Sequence, residues 1–398
     1  METIGIIGSG AMGAGIAQVA AAAGHTVIVY DNNQPALDKA KSNLDATLKK
    51  LVEKQKIDDA AAKGIMDRSK YASDLKEFKD CSLIIEAIIE NLEVKQKLFS
   101  DLEAIVKSDC ILATNTSSLS IASIASACKM ADRVIGIHFF NPAPLMPLVE
   151  IIPGVMTDPE ITSLSKKLID SWGKVTVLTK DTPGFIVNRV ARSFYGESIR
   201  IYEEGMADFA TIDWALKTHG GFKMGPFELM DFIGNDINFK VTESVWTQFF
   251  FEARFKPSLT QKRLYEAKLF GRKTGRGYYN YAEGASTPEP NKDDELAKTI
   301  FYRVISMLIN EAIDSLYVGL ATAEDLDLAM TKGVNYPKGL LRWADELELP
   351  TILDILTNLH NEYQEERYRP CVLLKRMVKE NRSFYPKNDL PEGKKVVV

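Results

Sequence analysis

The sequence predicts an α/β domain with a doubly wound parallel sheet, followed by two all-helical domains. Three observations lead to this prediction. The first 181 residues alternate short apolar runs with longer amphipathic stretches, a pattern typical of a parallel sheet covered by helices on both faces. After residue 183 the β-rich runs stop and helical spacing dominates. The helical part then repeats itself once, and 398 residues are enough for two or three domains.

Seven short apolar runs are the candidate strands of the N-terminal domain. They cover residues 3–8, 26–31, 83–88, 111–114, 134–139, 149–153 and 175–179. Most of the stretches between them have helical spacing, as in the series Leu37, Leu44, Leu48 and Leu51. Proline and glycine interrupt the pattern at residues 181–184, so the sheet domain is predicted to span residues 1–181.

The helical part contains an internal repeat at a constant shift of 114 residues. The shift pairs Glu197 with Glu311, Gly205 with Gly319, Asp213 with Asp327, Ala215 with Ala329, Gly225 with Gly339 and Asp231 with Asp345. Two unrelated helical bundles would not stay in register in this way, so the pattern favours a duplicated domain. The polar segment 282–294, which contains two prolines, is predicted to link helical domains at 182–281 and 295–387, and residues 388–398 are predicted to form a tail.

Composition argues against several classes of protein. The chain has 49 Lys and Arg against 54 Asp and Glu, a net charge of −5, which does not favour nucleic-acid binding. No apolar run approaches the roughly 20 residues that span a bilayer, so we expect no membrane segment. The four cysteines form no C-x-x-C pair and the four histidines are widely separated. We therefore expect neither a disulfide framework nor a metal site, and a cytoplasmic location.

A dinucleotide-binding fingerprint opens the chain. A G-x-G-x-x-G motif directly follows the first candidate strand and opens a helix, and an aspartate ends the next strand. The glycines permit a tight turn, close approach of the pyrophosphate and close helix–strand packing, while the helix N-terminus attracts phosphate. The aspartate can bind the adenosine ribose and repels a 2′-phosphate, so NAD is the predicted cofactor, with FAD as the main competitor. The predicted contact residues are Gly8, Gly10, Ala11, Met12, Gly13 and Asp31.

His138 is the best candidate for acid–base chemistry. It lies near the carboxyl end of a candidate strand, the edge that faces the ligand crevice in open α/β sheets. Glu150 lies in a second apolar run, where a carboxylate is costly unless it has a partner. A His–Glu pair would orient the imidazole and let it exchange a proton near neutral pH. Taken alone, either residue is also compatible with a structural role, which is our interpretation of His25, His219 and His360.

Seven motifs in a fixed order along the chain resemble one family. They are the glycine fingerprint, E-A-I-I-E-N at 86–91, N-T-S-S at 115–118, H-F-F-N-P at 138–142, D-T-P-G-F-I-V-N-R at 181–189, M-G-P-F-E at 224–228 and K-T-G-R-G-Y-Y at 273–279. In this order they resemble the L-3-hydroxyacyl-CoA dehydrogenases of fatty-acid oxidation and butyrate-type metabolism. The resemblance runs to about residue 281, and the second helical copy resembles the tandem C-terminal repeats of longer family members.

The resemblance implies a fold, a reaction and a set of catalytic residues. It implies a Rossmann-type NAD-binding domain and two C-terminal domains like those of 6-phosphogluconate dehydrogenase. The implied reaction is the reversible, NAD-dependent oxidation of an (S)-3-hydroxyacyl-CoA to a 3-oxoacyl-CoA. His138 would be the general base in oxidation and the acid in reduction, with Glu150 holding it. Ser117 and Asn188 would hydrogen-bond the substrate oxygens, although the residues alone favour helix capping for both.

The resemblance also implies contacts with the cofactor and with coenzyme A. The residues on the NAD side would be Glu90, Lys95, Asn115, Ser117, Asn141 and Lys273. Coenzyme A carries several phosphates, and residues 36–56 place Lys39, Lys50 and Lys54 on the helical face opposite the leucines. A solvated lysine face explains this pattern equally well. The resemblance favours Thr47 and Lys54 as contacts with the acyl-CoA substrate.

The second helical copy departs from the family pattern. Tyr302 stands at the position that matches Asn188, and R-S-F-Y-P at 382–386 replaces the K-T-G-x-G-Y stretch. The second copy is therefore predicted to be structural. Single-copy members of the family pair these helical domains across a homodimer. A covalent second copy could cover the same apolar surface within one chain, so a monomer is compatible with the sequence, as is a homodimer.

Two other functions remain open from the sequence. One is an NAD-dependent dehydrogenase of free hydroxy acids, as in the crystallin-like relatives that oxidise sugar acids. The other is a non-catalytic dinucleotide- or acyl-CoA-binding protein. The presence of His138, Glu150, Ser117 and Asn188 together argues against the second, because binding alone does not require a proton-transfer pair. Acyl chain length and pathway do not follow from the sequence.

Overall fold

The protein consists of two compact units, Met1–Phe185 and Ile186–Val398. The computed structural model describes residues 2–386, so the tail predicted at 388–398 and the last residue of the predicted second helical domain lie outside the described residues. Within this range, no helix is both long enough and apolar enough to cross a membrane.

The first unit is built on one eight-stranded sheet. Its strands are β1 (Thr3–Ile7), β2 (Thr26–Tyr30), β3 (Ser69–Ala72), β4 (Leu83–Glu86), β5 (Ile111–Thr114), β6 (Val134–Phe139), β7 (Leu148–Pro153) and β8 (Val175–Leu178). They lie in the order β3-β2-β1-β4-β5-β6-β7-β8, and the first six pair in parallel. The strand order reverses between β1 and β4, and ligands bind at such a switch point in open α/β sheets.

The predicted α/β class is confirmed, but the predicted sheet was wrong in two details. It lacked β3, a four-residue strand with a single fully buried side chain, Ala72, which leaves almost no hydrophobic pattern to detect. The parallel sheet that the sequence predicts also has one antiparallel pair, because β7 runs antiparallel to β6, while β8 runs parallel to β7. Only residues 140–147 connect β6 to β7, which is too short for the crossover that parallel neighbours require.

Six α-helices in the described part of the first unit pack on the sheet. They are α1 (Ala11–Ala22), α2 (Gln34–Glu53), α3 (Asp59–Arg68), α4 (Leu92–Glu103), α5 (Ile121–Ala125) and α6 (Pro159–Ser171). Side chains define several of their starts: Asn33 caps α2 and Asn91 caps α4, each accepting a backbone N–H two or three residues into the helix. The leucines predicted to face inward on α2 do so, since Leu37, Leu44 and Leu48 are buried in the main core.

The second unit is all-helical in its described residues. Its helices are α7 (Val187–Val190), α8 (Arg192–Glu203), α9 (Phe209–Gly220), α10 (Pro226–Ile233), α11 (Asn235–Gln248), α12 (Leu259–Glu266), α13 (Asp294–Tyr317), α14 (Ala323–Gly333), α15 (Leu340–Glu346), α16 (Leu349–Tyr363) and α17 (Val372–Lys379). The long helix α13 packs against α8 and α9, so the core of this unit is shared by the segments before and after the polar stretch at 282–293.

Two buried ion pairs join these helical segments reciprocally. Arg189 Nε lies 2.6 Å from Glu311 Oε1, and Arg303 Nε lies 2.6 Å from Glu197 Oε1. The shift of 114 residues converts Arg189 into Arg303 and Glu197 into Glu311. Each pair is therefore the image of the other, which is the exchange expected of two copies related by a two-fold axis.

Two aspartates, Asp213 buried and Asp327 half-buried, organise the helix starts in the same way in both segments. Asp213 accepts hydrogen bonds from two backbone N–H groups at the start of α10 and from the Tyr279 hydroxyl. Asp327, 114 residues later, accepts two backbone N–H groups at the start of α15 and the Tyr385 hydroxyl. The segment 382–386 thus replaces the glycine-rich loop in sequence while keeping this tyrosine contact. It also keeps two backbone N–H contacts, which Asp231 accepts from residues 278–279 and Asp345 from residues 384–385.

Candidate active site and cofactor site

The glycine fingerprint forms the turn between β1 and α1. Gly8 has a φ of 100°, and a Cβ there would lie 2.5 Å from the Ala87 carbonyl oxygen. A Cβ on Gly13 would lie 1.9 Å from the Gly8 carbonyl oxygen, whereas one on Gly10 would meet no atom within 4 Å. Gly8 and Gly13 are thus required by internal packing. Gly10 leaves open space at the N-terminus of α1, where a pyrophosphate can approach the backbone.

Asp31 follows β2 and is fixed against the same turn. Its Oδ2 accepts hydrogen bonds from the Ser9 N–H at 2.7 Å and the Ser9 hydroxyl at 2.9 Å, and its Oδ1 accepts the Asn33 N–H. Burial alone would raise the pKa of Asp31, but the hydrogen bonds from Ser9 and Asn33 outweigh it and lower the pKa. A fixed carboxylate at this point suits the ribose hydroxyls of NAD. Ser9 was not singled out in the sequence, although it lies inside the fingerprint.

Three charged side chains form a cluster at the carboxyl end of β4. Lys95 Nζ lies 2.6 Å from Glu86 Oε1 and 3.3 Å from Glu90 Oε2, and the side chains of Lys95 and Glu86 are essentially inaccessible. Two carboxylates therefore neutralise Lys95, so this lysine positions Glu90 rather than offering a free charge to an anion. Glu86 was not predicted as a site residue, although it ends an apolar run and opens the motif at 86–91.

Glu90 holds the loop after β5. Its Oε1 accepts hydrogen bonds from the hydroxyls of Thr116 and Ser118 and from the N–H groups of Ser117 and Ser118, at 2.5–3.2 Å. Burial would raise the pKa of Glu90, but Lys95 and the two hydroxyls lower it. The Ser117 hydroxyl itself makes no hydrogen bond to the described part of the chain, so it is available to a ligand.

The two predicted asparagines of this unit lie near the end of β6. Asn115 Oδ1 accepts the Phe139 N–H at 2.8 Å, which joins the ends of β5 and β6 next to His138. Asn141 is exposed and precedes a cis peptide bond to Pro142. Asn115 therefore supports the strand end itself, while the Asn141 side chain is open to solvent.

His138 and Glu150 face each other across β6 and β7. They are directly opposed in the strand register, and Nδ1 of His138 lies 2.7 Å from Oε2 of Glu150. His138 is 5% exposed and Glu150 is fully buried. The imidazole also packs against the rings of Phe140 and Phe185. Because the carboxylate occupies Nδ1, Nε2 is the nitrogen left to exchange a proton.

Helix capping explains neither Ser117 nor Asn188. The helix after Ser117 begins at Ile121 and is capped by Ser120, which accepts the Ser123 N–H. Asn188 lies inside α7, in the second unit, and its carbonyl oxygen accepts a hydrogen bond from Arg192. The capping alternative is thus wrong for both residues.

The remaining predicted contacts lie at the surface. Thr47 and Lys54 are both exposed, Thr47 on α2 and Lys54 just past its end. Lys273 belongs to the second unit, where its Nζ lies 2.6 Å from Asp236 Oδ2. The described geometry therefore gives Thr47 and Lys54 freedom to meet a ligand, whereas Lys273 already has a carboxylate partner.

Comparison with known proteins identifies the family. The family model for the 3-hydroxyacyl-CoA dehydrogenase NAD-binding domain matches residues 3–182. The model for the C-terminal domain of the same family matches residues 184–281 and again 300–387. The chain belongs to the 3-hydroxyacyl-CoA dehydrogenase family.

Individual relatives of this 3-hydroxyacyl-CoA dehydrogenase cover most of its length. The 3-hydroxyadipyl-CoA dehydrogenase of Escherichia coli is 37% identical over 94% of this chain and 97% of its own. Human mitochondrial hydroxyacyl-coenzyme A dehydrogenase is 41% identical, covering 71% of this chain and 91% of its own. A crystal structure of E. coli 3-hydroxybutyryl-CoA dehydrogenase superposes with a TM-score of 0.90 and 37% identity, over 95% of this chain and 98% of its own.

The predicted reaction and cofactor are confirmed by these matches. The protein is an oxidoreductase that binds NAD and converts 3-hydroxyacyl-CoA thioesters to 3-oxoacyl-CoA. This assignment replaces the alternatives of an FAD protein, a free-acid dehydrogenase and a non-catalytic binding protein.

Proposed function

We propose that His138 transfers the proton in this dehydrogenase and that Glu150 orients it. The observation that carries the proposal is the 2.7 Å contact between His138 Nδ1 and Glu150 Oε2, both nearly inaccessible to solvent. The carboxylate favours the tautomer with a proton on Nδ1 and stabilises the imidazolium that forms during turnover. In oxidation Nε2 accepts the proton of the substrate's C3 hydroxyl, and in reduction it returns that proton to the 3-oxo oxygen.

The first unit supplies the residues that hold the cofactor. When bound, NAD supplies the acceptor for the hydride that leaves C3. The backbone at Gly10 and the N-terminus of α1 suit the pyrophosphate, and the Asp31 carboxylate suits the ribose hydroxyls. Glu90 and Lys95 act by holding the serine-rich loop after β5 in place.

Ser117 and Asn188 are proposed to hydrogen-bond the substrate oxygens. The Ser117 hydroxyl, which has no hydrogen-bond partner among residues 2–386, and the failure of the capping explanation for both residues support this role. Thr47 and Lys54 are proposed contacts for coenzyme A because both are exposed and one is cationic. Asn141 and Lys273 remain proposed contacts on the NAD side, supported by the family resemblance alone. The relatives are named for different acyl groups, adipyl in one and butyryl in another.

The chain is proposed to work as a monomer in the cytoplasm. The reciprocal pairs Arg189–Glu311 and Arg303–Glu197 support an internal pseudo-dimer, because they bury within one chain the kind of interface that two identical chains would share. The four cysteines are free thiols, which suits a reducing compartment.

The test of the proton-transfer role is His138→Gln, assayed by NADH oxidation with acetoacetyl-CoA. Glutamine keeps much of the side-chain volume but cannot exchange a proton near neutral pH. We expect turnover to fall by about 10²–10⁴ while the Kd for NADH stays unchanged. His25→Gln is the matched control, since His25 packs against Trp172 in the same unit, and should keep wild-type turnover. Wild-type turnover in His138→Gln would reject the proposal.

A further inference from the structure

A buried guanidinium without a carboxylate partner among the described residues lies four residues after Asn188. Arg192 begins α8 and is 7% exposed. Its Nε donates to the Asn188 carbonyl oxygen at 2.7 Å, and one terminal nitrogen donates to the Thr242 hydroxyl at 3.2 Å. No Asp or Glu among residues 2–386 forms an ion pair with it. A buried charge without a counter-ion is costly, so a ligand is the natural source of one.

Two other buried arginines of this unit have carboxylate partners, unlike Arg192. Arg189 and Arg303 each have a carboxylate oxygen 2.6 Å from Nε. Arg192 has only neutral acceptors and the face of the Tyr195 ring, 5.0 Å from the guanidinium carbon. Its Thr242 partner is already occupied, because that hydroxyl donates to the Asn238 carbonyl and also accepts from Gln261. Arg192 is thus the exception among the buried arginines described in this unit.

A second unsatisfied polar group stands beside it. Tyr336, which comes from the second helical segment, is 5% exposed, and its hydroxyl has no hydrogen-bond partner in the described chain. It is close enough to Arg192 and Tyr195 to interact with both electrostatically. Its ring packs against Phe194 and Phe222. Buried hydroxyls are normally paired, so this one can still donate to an acceptor on a ligand.

The chemistry of the two groups selects a carboxylate. A guanidinium offers five N–H donors, and the contacts above use two, so a planar, forked set remains free. That geometry matches a carboxylate, which could also accept from the Tyr336 hydroxyl. A phosphate would bring more charge than one cation balances into a surrounding of aromatic rings. The site therefore favours a single carboxylate attached to an otherwise apolar group.

We propose that Arg192 and Tyr336 bind the terminal carboxylate of a dicarboxylic acyl chain carried on coenzyme A. The inference rests on the proposed role of Asn188 at the reacting carbon. Arg192 lies four residues further along the chain, across the break between α7 and α8, and its Nε contacts the Asn188 carbonyl oxygen at 2.7 Å, so a few methylene groups can span the distance between the two residues. The second helical segment then has a binding role besides its structural one, because it contributes Tyr336 to the acyl-chain site.

The test compares two six-carbon 3-oxoacyl-CoA substrates that differ only at the far end, one ending in a carboxylate and the other in a methyl group. We expect the wild-type enzyme to show the higher kcat/KM for the carboxylate-ended substrate. Arg192→Met should lower that value at least about tenfold and change the methyl-ended value less than about twofold. Tyr336→Phe should lower the carboxylate-ended value by a smaller factor, because it removes one neutral donor. Arg200→Met, on the same helix, is the matched control and should leave the ratio of the two values unchanged.

Three results would overturn the inference. The first is a wild-type preference for the methyl-ended substrate, which needs no variant to fold. The second is an equal loss on both substrates in Arg192→Met, which would show a structural role. The third is an unchanged ratio in both Arg192→Met and Tyr336→Phe. Acetoacetyl-CoA serves as the reference: activity on it alone means that only this inference has failed, whereas no activity on it means that the proposed function has failed.

Discussion

Asp31 illustrates how one side chain can set cofactor choice. Its carboxylate is held by two hydrogen bonds from Ser9, and its lowered pKa keeps it charged at neutral pH. We expect Asp31→Ser to lower the ratio of kcat/KM with NADH to kcat/KM with NADPH by at least about tenfold, since ribose contacts and 2′-phosphate repulsion are both lost. Steady-state assays with the two cofactors measure this. Asp38→Asn, at the surface of α2, should leave the ratio unchanged, and an unchanged ratio in Asp31→Ser would contradict the account.

At the scale of residues, the sequence predicted side chains whose chemistry is conspicuous where they stand. His138 and Glu150 were found because a polar group inside an apolar strand needs a partner, and the structure brings them within 2.7 Å. Glu86 and Ser9 were missed. Glu86 acts through its contact with Lys95, which lies in the next helix, and Ser9 acts through its contact with Asp31, which lies beyond α1. A pattern of neighbouring residues does not predict contacts of this kind.

At the scale of elements, the glycines of the β1–α1 turn differ in what a larger side chain would contact. A Cβ at Gly13 would collide with the Gly8 carbonyl oxygen, whereas one at Gly10 meets nothing within the protein. We expect Gly13→Ala to reduce the free energy of unfolding by about 1–3 kcal/mol through overpacking. Gly10→Val should reduce stability less than Gly13→Ala, because valine is a poor N-cap for α1 but its Cβ meets no atom within 4 Å, and it should raise the Kd for NADH at least about tenfold.

Urea unfolding and NADH titration of both glycine variants separate the two effects, each variant serving as the control for the other. A Gly10→Val protein that binds NADH normally would mean that the pyrophosphate does not approach this backbone. A Gly13→Ala protein of wild-type stability would mean that α1 can move away from β1 without cost.

Strands were predictable where their hydrophobic pattern is strong. The direction of a strand was not, where it depends on the length of the connection before it. Seven of the eight strands carry apolar runs that were found, while β3 has one buried residue and was missed. The direction of β7 depends on the length of its connection to β6 rather than on its own composition. The eight residues at 140–147 are too few for a parallel crossover, so the length of this connection predicts an antiparallel pair.

At the scale of the whole molecule, the repeated helical segment is the feature that sets this chain apart from the shorter relatives. The human enzyme covers 71% of the chain, and the C-terminal family model matches it twice. We expect the protein to sediment as a monomer of 44.3 kDa at micromolar concentration, because the two segments already exchange their buried ion pairs internally. Sedimentation velocity over a hundredfold range of concentration tests this, and a tight dimer across that range would contradict it.

The central claim is that His138 and Glu150 act as one proton-transfer unit, and a double-mutant cycle on kcat for acetoacetyl-CoA reduction tests it most directly. His138→Gln, Glu150→Gln and the double variant are compared with the wild type at saturating NADH. If the carboxylate acts only through the imidazole, the double variant should be no slower than His138→Gln alone, within about threefold. Losses that multiply in the double variant would show that the two residues act independently and would contradict the account.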